Sequence, residues 1–385
     1  MPTNSKMGLK LNGNCKKNNR HLNAICDIIT GHITVLAGTG NDPQVIVKGC
    51  IAIASCKGSI SGYTQLHGGL PSHTTSLKIL HHLDMDEMVR QSSDMLLQAG
   101  KNVIRPGQMY TFAIDKTQDP YYGKRDNAPD SYIVGGKNKK STNYFFTYLT
   151  MSIVDQGRHL TLFSIPWQKG MKDIDTIKQC ITLIGHIGPK IRCLCLDREF
   201  YVGEIFQYLQ TEHIPHIVPV PERGTELKAM LNDRKSKTFR YTLNKNTNHP
   251  VDLVITDCIV YLKGKKARYG IEHHAFVVFG MSSSPRHIRG IYRHRFAIES
   301  TYRIRNTTLP KTTTKDQKVR FFYSIIAFLI QNWWISIKWE RFARMKRGPK
   351  VIKEELFPLA HLVEIIQHEA SSLFRLKGID EIAII

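Results

Sequence analysis

Two aspartates in this sequence each close a run of β-forming residues, a position from which a sheet can present acidic groups. Asp115 ends the run at 109–115 (MYTFAID), and Asp197 ends the run at 191–197 (IRCLCLD). Carboxylate oxygens are the ligands that Mg²⁺ prefers, and strands hold them rigidly. The pattern predicts a divalent-metal site at these strand ends. For either aspartate considered singly, the alternative is a side chain that caps the following turn or helix.

A third acidic residue lies within a basic segment at 291–306 (IYRHRFAIESTYRIRN). On one continuous α-helix, four side chains of this segment share an arc of about 60°. They are Tyr292, Arg295, Glu299 and Asn306. Tyr302 and Arg303 lie near the edges of that stripe, and Arg305 projects to the far side. The alternative is that the glutamate only neutralises an arginine one turn away, an ion pair of small value.

Positive charge dominates the chain and is concentrated in its last part. The 385 residues include 54 Lys and Arg against 32 Asp and Glu, a formal net charge of +22. Residues 219–385 hold 30 basic and 15 acidic side chains, whereas residues 106–218 hold 13 and 11. This excess predicts a polyanionic partner such as nucleic acid and excludes small neutral metabolites as the main substrates.

The residue pattern predicts the order of the elements that position these side chains. After a helix at 74–100, strands follow at 109–115, 144–154 and 159–165, and then a helix, a strand, a helix and a strand at 173–186, 191–197, 202–212 and 214–220. Three further β segments are predicted at 238–243, 251–262 and 269–281, and helices at 287–305, 318–344 and 358–376.

One apolar segment, residues 321–337, approaches the length of a membrane span. The segment contains the polar residues Gln331 and Asn332 and is followed by charged residues, which favours a buried core helix. The alternative is a helix that anchors the protein in a membrane. The first 20 residues contain no secretory signal pattern, and the eight cysteines form no dense disulfide framework. These features predict a cytoplasmic, nucleoid-associated protein with reduced thiols.

Other motifs carry little chemistry. The side chains of the adjacent pairs His81-His82 and His273-His274 diverge, and Cys193-x-Cys195 has no second pair at zinc-site spacing, which disfavours a structural zinc ion. No nucleotide-binding loop is present, so no nucleotide cofactor is expected. Basic residues in two loops are either phosphate contacts or solvated charges, namely Lys137, Lys139, Lys140, Lys263, Lys265, Lys266 and Arg268.

The combination of these motifs resembles a known family. An Asp at a first strand end, the segment LDREFY at 196–201, a β-rich insertion and then Y-x2-R-x3-E on a helix are similar to insertion-sequence transposases with an Asp-Asp-Glu triad. The resemblance covers about residues 75–345 and implies a prokaryotic source, with an archaeal one among the alternatives. That family's motif continues with x6-Lys, whereas this chain has Asn306, which removes one positive contact to DNA.

The resemblance implies an α/β fold with a ribonuclease H-like mixed five-stranded sheet flanked by helices. A β-rich insertion would precede the last catalytic helix, and the N-terminal region would be helical. The implied divisions are an N-terminal region for binding DNA ends at 1–105, a catalytic core at 106–221, the insertion at 222–284, core helices at 285–345 and a helical tail at 346–385.

The resemblance also implies the activity. The enzyme would bind the terminal inverted repeats of its insertion sequence, cleave DNA with Mg²⁺-activated water and join the 3′ ends to target DNA. Asp115, Asp197 and Glu299 would be the catalytic residues and hold two Mg²⁺ ions, for which Mn²⁺ can substitute. The implied DNA contacts are Tyr292, Arg295, Arg303, Asn306 and Arg198. The partner would be double-stranded DNA, both element ends and target, bound by a homodimer, without a membrane or a nucleotide cofactor.

Alternatives to this function stay open on the sequence. A nuclease of the same fold would cleave DNA without strand transfer. A catalytically silent DNA-binding derivative would explain Asn306, although all three carboxylates argue against it. Tyr292 is either a DNA contact or a core residue with its hydroxyl at the rim.

Overall fold

The computed structural model describes residues 19–38, 40–123, 132–139, 141–155, 157–221, 224–231, 234–245, 247, 249–262, 270–344, 351–352 and 354–378. Five of the basic loop residues lie outside this described part, namely Lys140, Lys263, Lys265, Lys266 and Arg268. The strands of the described part are β1 (Met109–Pro120), β2 (Ile133–Lys139), β3 (Thr142–Ile153), β4 (Leu160–Pro166), β5 (Lys190–Leu196), β6 (His216–Pro219), β7 (Lys237–Leu243), β8 (Val251–Tyr261), β9 (Ile271–Phe279), β10 (Ala343–Arg344) and β11 (Val351–Ile352).

The first nine strands of the described residues form one mixed sheet in the order β2-β3-β1-β5-β6-β9-β8-β7, with β4 also paired to β3. β1 runs antiparallel to β3 and parallel to β5, and β6 runs parallel to β5 and antiparallel to β9. The sheet of the described residues thus has nine strands, and the expected five-stranded arrangement is not confirmed. The insertion strands continue the same sheet because β9 pairs along β6, whose backbone would otherwise form an open edge.

The helices of the described residues are α1 (Arg20–Thr30), α2 (Pro43–Ser55), α3 (Ile60–Leu66), α4 (His73–His81), α5 (Met85–Gly100), α6 (Asp173–Ile187), α7 (Gly203–Thr211), α8 (Thr225–Met230), α9 (Pro285–Arg293), α10 (Phe296–Thr307), α11 (Gln317–Ile337) and α12 (Leu359–Ser371). Two segments predicted as single helices are each divided. The segment 74–100 forms α4 and α5, because Asp84 accepts hydrogen bonds from the backbone N–H groups of Asp86 and Glu87 and so begins a new helix. The segment 287–305 forms α9 and α10.

The apolar segment at 321–337 lies within α11, which the fold buries along most of its length. Asn332 accepts from the backbone N–H of Thr161 on β4 and donates to the carbonyls of Thr161 and Leu96. Its side chain therefore fixes α11 to β4 and α5. No single helix of the described part is long and apolar enough to cross a membrane, while α2 and α3, bent by 102°, pass that test only as a pair.

The N-terminal helices share one hydrophobic core with α11 and α12. Glu369 on α12 accepts from the backbone N–H groups of His21 and Leu22 in the first turn of α1, which are donors without an intrahelical partner. The two ends of the described chain are thereby joined. Of the seven cysteines in the described residues, six are buried as the apolar runs predict, whereas Cys56 is exposed.

Candidate active site

Asp115 lies within β1, five residues before its end, where the parallel neighbour β5 stops. The last β1–β5 pair is Ile114 with Leu196, whereas β1 continues to pair with β3 through Asp115 opposite Thr150. The carboxylate is buried, with 8% of the residue exposed. Its Oδ1 accepts a hydrogen bond from the backbone N–H of Lys116 at 2.8 Å. The end of β5 thus leaves room for an acidic side chain at the middle of the sheet.

Asp197 follows β5 directly and precedes a 3₁₀ turn at Arg198–Phe200. Its side chain makes no capping hydrogen bond to that turn, so the capping alternative does not account for this aspartate. The side chain is 37% exposed. Since β1 and β5 are parallel neighbours and Ile114 pairs with Leu196, Asp197 lies at the carboxyl end of β5, next to Asp115 on β1.

The helix motif is divided by a tight turn between α9 and α10. Arg295 donates its backbone N–H to the carbonyl of Tyr292, and Ile298 donates to the carbonyl of Arg295, so the hydrogen bonds span three residues instead of four. Such a turn has about three residues per turn rather than 3.6. The motif is therefore not one continuous α-helix, on which the predicted stripe depends. Tyr292 and Arg295 are buried, whereas the Glu299 side chain is 52% exposed.

All three acidic side chains converge on the guanidinium of Arg295. Nη1 lies 3.2 Å from Oδ2 of Asp115, and Nη2 lies 3.5 Å from Oδ1 of Asp197 and 3.7 Å from Oε1 of Glu299. Arg295 therefore does pair with the glutamate one turn away, but it also contacts the two aspartates. Three acidic residues far apart in the chain thus gather around one guanidinium. We call Asp115, Asp197 and Glu299 the carboxylate cluster.

Burial raises the pKa of Asp115 to about 7. The positive charge of Arg295 lowers that pKa and the negative charge of Asp197 raises it, so burial outweighs the arginine. Part of the Asp115 population is therefore protonated at neutral pH. A cation placed beside this carboxylate would favour its ionised form.

The other predicted DNA contacts have different surroundings. Tyr292 donates from its hydroxyl to the carbonyl of Leu196 at 3.3 Å and packs against Phe276. Of the two alternatives for Tyr292, these contacts are those of the core residue. Arg198 is exposed. Arg303 is exposed and donates to the hydroxyl of Ser300, and Asn306 accepts from the neighbouring Arg305. The structure places Arg198, Tyr292 and Arg295 around one cavity, with Arg303 and Asn306 outside its lining.

Sequence reasoning missed the role of Arg305. Its guanidinium is completely buried and makes two hydrogen bonds of 2.8 Å to the carboxylate of Asp119 near the end of β1, with a third to Ser324 on α11. The side of α10 on which Arg305 projects therefore makes a buried polar contact. Arg305 ties α10, which carries Glu299, to the strand that carries Asp115.

A second group of charges adjoins the site and was also missed. Lys116 lies 2.7 Å from Asp173 and 3.7 Å from Glu199, and its ammonium stands 4.0 Å from the ring centre of Trp167. Burial raises the pKa of Glu199, against the lowering effect of Lys116. The segment LDREF contains this glutamate two residues after Asp197. Only the aspartate ends the run of β-forming residues, so the sequence pattern did not indicate Glu199.

The donor chemistry of the carboxylate cluster fits a hard divalent cation, because three carboxylates surround one positive group. In the described residues, no three His, Cys, Asp or Glu side chains are already arranged as a metal site. The cation among the three carboxylates is the guanidinium of Arg295. A metal ion would therefore have to share or replace these contacts.

The chain is similar to known proteins in sequence profile and in fold. The profile of the transposase DDE domain matches residues 106–333, which include all three carboxylates. The chain is similar in structure to a piggyBac transposase in a synaptic complex with hairpin DNA, solved by cryo-electron microscopy, with a TM-score of 0.57 and 11% sequence identity. The match covers 93% of this chain and 77% of that one, and at this identity it shows the fold alone. No curated protein matches the chain.

Proposed function

This chain belongs to the transposase DDE domain family, and from this premise we propose that it binds the terminal inverted repeats of its own insertion sequence, cleaves DNA there and joins the 3′ ends to target DNA. The observation that carries the proposal is the convergence of Asp115, Asp197 and Glu299 on Arg295. These carboxylates come from β1, from the residue directly after its parallel neighbour β5 and from α10, so the fold itself gathers them.

The proposed catalytic core consists of the five strands β4, β3, β1, β5 and β6 in a ribonuclease H-like arrangement. In support, these five are consecutive in the sheet, with antiparallel pairs on one side of β1 and parallel pairs on the other. β7, β8 and β9 then extend this core at β6. We assign binding of the DNA ends to the N-terminal region at 1–105, whose described residues are mainly helical.

The proposed metal ligands are the members of the carboxylate cluster. When bound there, two Mg²⁺ ions, or Mn²⁺ in their place, would supply an activated water and stabilise the attacking and leaving oxygens of an in-line displacement at phosphorus. Asp115 and Asp197 would hold the ions from the sheet and Glu299 would complete the set from α10.

The remaining residues of the site would hold the DNA. Once released from the carboxylates, Arg295 would place a planar pair of donors on a phosphate, and Arg198 would add a second positive charge at the cavity mouth. Tyr292 would keep the end of β5 in place through its bond to Leu196. Because two element ends must be held together, the active form is proposed to be a homodimer, in the cytoplasm with the nucleoid.

Cleavage and strand transfer can be tested separately with DNA that carries the ends of the element in which the gene lies. With Mg²⁺, the purified protein should nick this DNA at the ends, and it should join precut ends to a supercoiled plasmid. With EDTA neither product should form. Cleavage without joining of precut ends would support the same-fold nuclease instead. Binding without either reaction would support the silent derivative.

A further inference from the structure

A second cavity, of about 340 Å³, lies at the end of α10 that is far from Glu299. Both Nη atoms of Arg305 bond to the carboxylate of Asp119 in its lining, so the one acidic group there is already balanced by a buried cation. The cavity therefore carries an excess of positive charge. Its charged and amide lining residues are Lys57, Asp119, Asn306, Lys311 and Arg320.

The backbone holds two of these lysines close to each other. Lys311 donates its backbone N–H at 2.7 Å to the carbonyl of Gly58, the residue directly after Lys57. Both lysines are exposed, and in the described part of the chain neither is paired with an acidic side chain. A lysine ammonium has three donors and no acceptor. Two such groups on one cavity can therefore donate to the same anion.

Lys57 adopts a backbone conformation that favours glycine, with φ at 51°. It follows the end of α2, where its backbone N–H donates to the carbonyl of Ala54 and that of Gly58 donates to the carbonyl of Ile53. Helices that end in this way usually have glycine at the position of Lys57, since a Cβ there crowds the following carbonyl oxygen. Ending the helix would favour glycine, so the lysine indicates a use for its charge.

The second cavity lies within reach of DNA at the carboxylate cluster. On α10, Asn306 is seven residues after Glu299, which is about 10 Å at 1.5 Å per residue. On β1, Asp119 is four residues after Asp115, which is about 13 Å at 3.3 Å per residue. Along one DNA duplex, at about 3.4 Å per base pair, these lengths span about three to four base pairs.

Resting on the proposed function, we infer that the second cavity binds a backbone phosphate about three to four base pairs from the phosphate at the carboxylate cluster. Lys57, from the N-terminal region, and Lys311, from the segment between α10 and α11, both donate to its oxygens. Arg320 adds positive charge and is held by the bond from its Nε to the carbonyl of Thr314. Phosphate accepts from such donors irrespective of the DNA sequence. The N-terminal region and the catalytic core thereby hold the same phosphate.

Neutral substitutions of the two lysines test this site. Lys57→Gln and Lys311→Gln keep most of the side-chain length and remove the charge. Lys190→Gln is the matched control, because Lys190 is exposed at the start of β5, the opposite end of that strand from Asp197, and lies outside the cavity. Lys57→Gly separates binding from folding, since glycine suits the backbone conformation at this position.

The measurement is binding of a fluorescent duplex of mixed sequence, about three helical turns long, to the full-length protein in EDTA, over a range of KCl concentrations. Each single Lys→Gln variant of the cavity should bind several-fold more weakly than Lys190→Gln at low salt. The double variant should lower the slope of log K against log [KCl] by about one, the value for one phosphate. Lys57→Gly should bind as weakly as Lys57→Gln but unfold at a higher urea concentration than the unmodified protein.

The results separate this inference from the proposed function. An unchanged slope in the folded double variant would overturn the phosphate site, even in a protein that cleaves and joins DNA. A slope lowered by about two would mean that the lysines contact separate phosphates, which contradicts a shared site. A slope lowered by about one in a protein that neither cleaves nor joins would support the site and contradict the proposed chemistry.

Two further outcomes concern folding. Normal DNA binding by Lys57→Gly, together with a lower stability, would make Lys57 a structural residue and overturn its part in the site. If the double variant does not fold, the two single variants replace it. Affinities equal to that of Lys190→Gln in both would then be the contrary result.

Discussion

Nη1 of Arg295 lies 3.2 Å from Oδ2 of Asp115, with both side chains buried. The arginine lies between the three carboxylates that are the proposed metal ligands. The same guanidinium reaches Asp197 and Glu299. Its positive charge keeps three acidic groups together without a metal ion, and it must compete with any ion that binds them.

Arg295→Gln should therefore strengthen metal binding in the absence of DNA. Loss of the competing charge is expected to raise the affinity for Mn²⁺ by roughly tenfold, which corresponds to about 1.4 kcal/mol. Isothermal titration calorimetry with the metal-free protein measures this. Arg303→Gln is the control, because Arg303 is exposed and bonded to Ser300. Equal or weaker Mn²⁺ binding by Arg295→Gln would show that Arg295 does not compete with the ion.

Neutral replacement of the carboxylates should stop DNA cleavage and spare DNA binding. We expect Asp115→Asn, Asp197→Asn and Glu299→Gln each to lower the Mg²⁺-dependent cleavage rate by roughly a thousandfold or more. Affinity for the end DNA should stay within a few-fold, since basic side chains supply most of that binding. Glu212→Gln, at an exposed position after α7, is the control. A variant that still cleaves would remove its residue from the catalytic set.

Asp115 should also make the metal-free protein less stable as the pH rises. Its pKa is about 7 in the folded chain against 3.8 as the ordinary value. Between these values the unfolded chain releases the proton while the folded chain retains it, so folding is progressively disfavoured. Asp115→Asn removes this penalty, which is at most about 4 kcal/mol.

Denaturant unfolding in EDTA between about pH 3 and pH 8, a range that spans both pKa values, tests this pH dependence. The Asp115→Asn variant should be more stable than the unmodified chain at the alkaline end, and the difference should shrink towards zero at the acidic end. Asp252→Asn, at an exposed site on β8, should show no such trend. A difference that is independent of pH would contradict the burial of an ionisable Asp115.

The candidate site could be predicted from the sequence because strand ends and a helical motif are local patterns. Asp115 and Asp197 follow β-forming runs, and Glu299 lies in a spaced helical motif. The contacts around them depend on partners distant in the chain. The division between α9 and α10 contains no proline or glycine at Arg293 to Phe296, so nothing in the segment itself marks the tight turn.

The sheet was predicted less completely for a similar reason. Polar residues after Asp115 indicated the end of the first strand, yet β1 continues to Pro120 because β3 pairs with it along that length. The insertion strands alternate as strands do, but alternation does not say which edge they join. The pairing of β9 with β6 could not be predicted from the insertion, because the free edge of β6 is formed by a different part of the chain.

The buried pair of Arg305 and Asp119 should be the most sensitive contact outside the carboxylate cluster. Arg305→Met leaves the Asp119 carboxylate, only 14% exposed, without its partner. Removing one member of a buried ion pair costs about 3–5 kcal/mol, whereas an apolar replacement of both members is often close to neutral. Urea unfolding should show that loss in Arg305→Met and recovery of most of it in the double variant Asp119→Leu with Arg305→Met.

Arg303→Met is the matched control, two residues away on the same helix but exposed, and it should change the free energy of unfolding by no more than about 0.5 kcal/mol. The Asp119–Arg305 pair also joins the helix of Glu299 to the strand of Asp115, so cleavage by the folded double variant should fall although its stability recovers. Equal losses in Arg305→Met and Arg303→Met would mean that the pair does not hold α10 in place. Full cleavage by the stable double variant would mean that packing alone positions Glu299.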